Sequence, residues 1–275
     1  MKMRYMVVAV LFLLCCFEVD VRAQGKWPAN APTPDQMREL FFQIQNGQIT
    51  KEQLAVFLHR DEAPTNYAAA RRILGDDFIA PEEITTAMNL PYTFEQLEAL
   101  TKTLPSQETM ALLRERQYVL MPGPPRHMGL LDVRTLVPHL FFSKAGVYGA
   151  SFTHEDRVSA GWLAIRKYPA PYSIGKPWEE QRALLSDAER VPNAGELSWC
   201  MVAFQKVRGT RLFGSGYVRT FSQGSVSGRI VHLGNFGGYG IHVFDWPAAG
   251  VLPDLGLAAA YTLRMQTETT CFGCR

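Results

Sequence analysis

The stretch Tyr217-Val-Arg-Thr-Phe-Ser-Gln-Gly-Ser-Val-Ser-Gly-Arg-Ile-Val-His-Leu-Gly-Asn-Phe-Gly-Gly-Tyr-Gly-Ile-His-Val-Phe-Asp-Trp246 decides the fold. Residues 217–220, 229–233 and 241–246 are runs of β-branched and aromatic side chains, and glycine-rich segments at 224–228 and 234–240 cut them apart. Short apolar runs between glycine turns read as antiparallel strands. Residues 210–213 and 257–262 have the same strand composition on either side. Upstream, Asn193 followed by Glu196 marks a helix start, with Leu197, Cys200, Met201 and Phe204 on its apolar side. Residues 178–185 read as a second helix, and residues 141–142, 147–152 and 161–165 as further extended segments. Strands grouped together with two inserted helices predict an α+β domain rather than an alternating parallel one.

The segment before residue 117 is predicted to be helical throughout. Met37, Leu40, Phe41 and Ile44 recur at helical spacing, and Thr50 with Gln53 makes a capping box ahead of Leu54, Phe57 and Leu58. Short helices follow at 68–74, at 81–88 with Pro81 in the first turn, after Thr93 and after Ser106. The prolines of Met121-Pro-Gly-Pro-Pro125 break the chain, so a second domain is expected to begin near residue 117. The predicted organisation is a helical domain at 35–116, a glycine-rich, mainly antiparallel β domain with two helices at 117–265, and a tail at 266–275.

At the N-terminus, Lys2 and Arg4 precede an apolar stretch at 6–17, and Val21 and Ala23 suit signal peptidase. Residues 1–23 therefore read as a signal peptide and 24–34, with Pro28, Pro32 and Pro34, as a linker. A secreted or cell-envelope location is expected, with no membrane span in the mature chain. Removing residues 1–23 takes Lys2, Arg4 and Arg22 against Glu18 and Asp20, so the formal charge falls from +2 to +1. That charge argues against a nucleic-acid partner.

A resemblance extends this reading over roughly residues 110–262. Trp162-Leu-Ala-Ile-Arg-Lys167, Trp178-Glu-Glu-Gln181, Val191-Pro-Asn-Ala-Gly-Glu196, Tyr217-Val-Arg-Thr220 and Leu255-Gly-Leu-Ala258 together resemble a group of uncharacterised exported proteins of candidate-phylum bacteria. More remotely, the order of helices and looped strands resembles C-type-lectin-like and sulfatase-modifying-factor-like modules. The lectin resemblance implies a calcium site, yet Asn235, Asp245 and Asp254 are not set in a Glu-Pro-Asn-like or Trp-Asn-Asp-like segment, and Phe244-Asp245-Trp246 inverts that order. The sulfatase-modifying-factor resemblance implies a formylglycine-generating or related oxidase with a reactive cysteine pair. Cys200 falls on an apolar helix face, and Cys271 and Cys274 form a terminal CxxC that reads as a local disulfide or a frayed tail. No metal and no cofactor is expected.

Three functions remain open at this point. The preferred one is a noncatalytic binding module whose surface ligand or protein partner is met by Tyr217, Arg219, Asn235, Tyr239, His242, Asp245 and Trp246, which combine flat rings with hydrogen-bonding groups. The second is a metal-assisted hydrolase using His232, His242 and Asp245, which requires the two histidines to share a sheet face. The third is a structural envelope protein. Residues 234–240 lack the Gly-Lys-Ser/Thr ending of a phosphate loop and read as a turn that exposes Tyr239.

Overall fold

The computed structural model describes residues 33–50, 54, 65–143 and 146–263. They belong to two compact units, Met1–Lys51 and Glu52–Arg275. The expected signal peptide, the linker up to residue 32, Gln53, Phe57, Leu58, His59 and the Cys271/Cys274 pair lie outside the described residues. In the first unit, helix α1 (Pro34–Gln45) starts where Thr33 and Gln36 exchange side-chain to backbone hydrogen bonds of 3.2 and 2.8 Å. That reciprocal pairing satisfies two N–H groups that a helix start otherwise leaves unpaired.

The second unit opens with α2 (Thr65–Leu74), α3 (Pro81–Met88), α4 (Phe94–Lys102) and α5 (Gln107–Glu115). Thr93 and Ser106 cap α4 and α5 through their hydroxyls, and Pro81 occupies the first turn of α3. Strand β1 (Tyr118–Pro122) follows and is buried at every position. Ile79, Ile84, Tyr92 and Leu100 pack into the same core as Val119, Leu163, Trp199, Val218 and Val231. Polar links reinforce this apolar contact. The Trp162 indole donates to the Leu100 carbonyl at 2.8 Å, Tyr92 donates to the Gly123 carbonyl at 2.6 Å, and Arg208 pairs with Glu83 at 2.7 Å. The junction expected near residue 117 thus lies inside one continuous core, and helices α2 to α5 belong to the same unit as the strands. Pro122 terminates β1, as the missing N–H requires, but its carbonyl is buried and accepts from Trp199 at 2.9 Å.

The remaining elements are α6 (Leu130–Leu136), α7 (Phe152–Glu155), β2 (Trp162–Arg166), α8 (Trp178–Arg182), β3 (Glu189–Arg190), α9 (Ala194–Arg208), β4 (Tyr217–Gln223), β5 (Arg229–Gly237), β6 (Gly240–Pro247), β7 (Leu255–Leu257) and β8 (Ala260–Tyr261). They complete two four-stranded sheets, ordered β1-β2-β8-β3 and β6-β5-β4-β7. Every pairing is antiparallel except β4 with β7, so the fold is α+β. Two free sheet edges are blunted by single bridges, Phe78 beside Leu120 on β1 and Phe141 beside Ile241 on β6.

Helix α9 is the central post, with ten buried residues from Ala194 to Phe204. Its length follows from its ends: Asn193 and Glu196 form a capping box, and Gly209 stops the helix in a left-handed conformation at φ +71°. Asn193→Ala is expected to lower stability by about 1 kcal/mol, measured as a drop in the denaturant midpoint at unchanged slope.

Three extended segments expected from composition differ. Residues 210–213 form no strand, because Phe213 takes φ +54° and its carbonyl accepts from Phe236 across a turn. Residues 257–262 divide between two sheets. Ala258 donates to the Arg219 carbonyl while the Ala259 carbonyl accepts from Arg166, so this dipeptide crosses from one sheet to the other. Residues 147–152 coil into a 3₁₀ turn at Gly146–Gly149 and the start of α7.

Candidate functional site

The β4-β5-β6 meander is the element that positions the site. Alternation along each strand sends Val218, Val231, Leu233 and Val243 into the core shared with α9. Tyr217, Arg219, His232, His242, Phe244 and Trp246 take the opposite face. Register then builds two rows across the sheet, Tyr217–Gly234–His242 and Arg219–His232–Phe244. His232 and His242 therefore share a face, in adjacent rows.

At the open end of this face, four side chains form a shelf. The Tyr217 hydroxyl lies 3.3 Å from His242 Nδ1, and the Asn235 amide donates to that hydroxyl at 3.4 Å. Phe142 stacks on the His242 ring, with centroids 4.5 Å apart and planes at 28°. Tyr217, Asn235, His242 and Phe142 are all half-buried. Phe142 is held from outside the meander. Its N–H donates to the Ile241 carbonyl at 3.0 Å, its carbonyl accepts from Tyr148 at 2.9 Å, and the Arg134 guanidinium lies 4.1 Å from the Tyr148 ring centroid. Behind the shelf, His232 sits edge-on to Tyr217 with centroids 5.2 Å apart and is only 4% exposed. Burial, with Arg219 adding repulsion, pushes its pKa down to about 4, and burial also lowers that of His242. Both rings are therefore neutral at pH 7.

The other residues expected at this surface do not join the shelf. Tyr239 tops the β5–β6 hairpin and is 81% exposed. Arg219 is fully buried and serves as a strut: it donates to the carbonyls of Lys176, Pro247 and Gly250 and to the side-chain oxygen of Gln181. Asp245 points to the opposite face, where it accepts from Arg229 at 2.6 Å and from Ser225. Those partners hold its carboxyl below the usual range, against the opposing effect of burial. The indole nitrogen of Trp246 is buried against Gly250.

This placement corrects the metal triad. His232 and His242 lie on one face, but Asp245 is turned away, and no group of three metal-ligating side chains occurs among the described residues. Cys200 is buried and its thiol is pushed well above the ordinary range by desolvation, which removes its nucleophilic form at neutral pH. No family model, curated protein or solved structure matches the chain.

The shelf offers stacked ring faces beside one amide, one phenol and one neutral imidazole. Such a surface holds a neutral ligand by packing and directed hydrogen bonds. Phe142 is the member that sequence reasoning missed. Residues 141–142 carry a strand-like signal, yet their place beside β6 is set by a bridge one hundred residues away in sequence. A separate cleft of about 640 Å³ lies where Leu100, Leu104 and Ser106 face Trp162 and Tyr261, and it contains none of the expected site residues. Among the described residues no helix is long and apolar enough to cross a membrane.

Proposed function

We propose that the chain is an exported, noncatalytic binding module of C-type-lectin-like architecture, recognising an uncharged surface ligand or a protein partner through the shelf of Phe142, Tyr217, Asn235 and His242. The observation that carries this reading is the fixed constellation of Phe142 on His242 and Tyr217 between His242 and Asn235. Rigid aromatic groups lose little entropy when a ligand packs on them, and a phenol and an amide with free lone pairs or protons fix its orientation. Neutral imidazoles favour a neutral ligand over an ionic one. Export rests on the composition of residues 1–23, and the lectin-like assignment on the resemblance carried by residues 110–262.

Binding of the full mature chain to a glycan panel and to envelope extracts tests this reading. Phe142→Ala is expected to weaken the interaction by about 10- to 100-fold, since a central aromatic anchor contributes roughly 1–3 kcal/mol. Tyr217→Phe, which keeps the ring and removes the hydroxyl, should weaken it several-fold. Tyr239→Ala at the exposed hairpin tip separates a wider surface from the shelf alone. Unchanged binding by folded Phe142→Ala and Tyr217→Phe variants would refute the site.

A further inference from the structure

Arg219 presents a charge balance that its protein partners do not close. Its guanidinium is fully buried, and all four of its hydrogen-bond acceptors are neutral oxygens. Arginine does not lose its proton in proteins, and a buried charge without a counter-charge is costly. The remaining donor, Nε, has no protein partner. Two neighbours share this state. His232, directly opposite Arg219 across β4 and β5, is 4% exposed with Nδ1 unpartnered, and the indole nitrogen of Trp246 is buried and unpartnered. Trp246 stands on the same face one row further along, opposite Ile230. Gly250 joins these groups. Its carbonyl accepts from Arg219 at 2.5 Å, and a Cβ on Gly250 would lie 2.5 Å from the Trp246 indole nitrogen.

Buried polar atoms without partners are rare in native proteins, and here His232 lies directly opposite Arg219 while Trp246 reaches it through Gly250, so the three unpartnered donors point to a common acceptor. We propose that Arg219, His232 and Trp246 bind a small monovalent anion of chloride size beneath the loops at 168–176 and 247–250. The Arg219 Nε–H, the Trp246 Nε1–H and the Nδ1–H tautomer of His232 supply the donors, and the guanidinium supplies the charge. A monoanion neutralises Arg219, which a water molecule does not. The closed surroundings favour a small ion over a larger oxyanion, since both terminal nitrogens of the guanidinium are already engaged by Lys176, Gln181, Pro247 and Gly250. The bound ion would pin the two loops to the sheet, and it is independent of ligand capture on the shelf.

The test compares thermal unfolding of the full mature chain in sodium chloride and in sodium gluconate at equal ionic strength, together with anomalous diffraction from crystals grown in bromide. Chloride is expected to raise the Tm saturably, by about 2–4 °C, and bromide to appear beside Arg219 Nε. Trp246→Phe, which keeps an aromatic ring and deletes one donor, should shift the chloride response to several-fold higher concentration. Should that variant fail to fold, bromide density in the wild-type protein decides. Equal Tm values in the two salts, with a water and no bromide beside Arg219, would overturn the assignment.

Discussion

Arg219→Ala is expected to cost about 3–5 kcal/mol, a fall in Tm of roughly 10 °C, and to open the loops at 168–176 and 247–250 to proteolysis. Two opposing terms set this value. Removing a buried cation relieves its desolvation, which acts in favour of the variant. It also strands the carbonyls of Lys176, Pro247 and Gly250 and the side-chain oxygen of Gln181, each at about 1–3 kcal/mol if it finds no water. Lys176 and Gly250 lie in surface loops and Pro247 is the exposed last residue of β6, so part of that loss is recovered by hydration, but Gln181 is fully buried. The balance falls on the destabilising side. Arg219→Lys should rescue only part of the loss, because one ammonium cannot reproduce the planar fork that reaches three segments at once. A cost below about 1 kcal/mol in denaturant unfolding would show that the strut is dispensable.

The same residue shows where the sequence was legible and where it was not. Helix starts at Pro81, Thr93, Ser106 and Asn193 are local devices, complete within four residues, and the structure places helices there. The meander was legible because period-two alternation and glycine turns need no distant partner. Even the placement of Asp245 away from His242 follows from their odd spacing on a regular strand. What sequence could not supply was register and cover. Gly234 is the last β5 residue in regular register with both Tyr217 and His242, where a bulge at 234–237 begins, and bulges are fixed by pairing on both sides. Arg219 became a strut rather than a surface group because a loop more than forty residues earlier closes over it. The prolines at 122–125 suggested a boundary, yet Tyr92 and Trp199, distant in sequence, fold onto them.

Gly234→Ala tests that bulge and the shelf together. Gly234 has φ +152°, and a Cβ there would stand 2.3 Å from the Gly216 carbonyl oxygen and 2.8 Å from the Tyr217 Cα. Both obstacles are backbone, so no rotamer change relieves the overlap. Strands β4 and β5 must part, and the 2.7 Å bond from the Asn235 N–H to the Gly216 carbonyl goes with them. The expected cost is about 3 kcal/mol, from overpacking plus backbone strain. Because Tyr217 and His242 meet across this position, their ring contact should also vanish, read as loss of the cross-strand nuclear Overhauser effects between them. Gly238→Ala is the matched control: a Cβ at Gly238 meets nothing within 4 Å, so stability should change by less than about 0.5 kcal/mol. A shelf that depends on the bulge loses ligand affinity in Gly234→Ala even at temperatures where the variant is fully folded, whereas a purely global effect lowers Tm alone. Wild-type stability in Gly234→Ala would mean that the strand pairing on which the shelf stands has a different register.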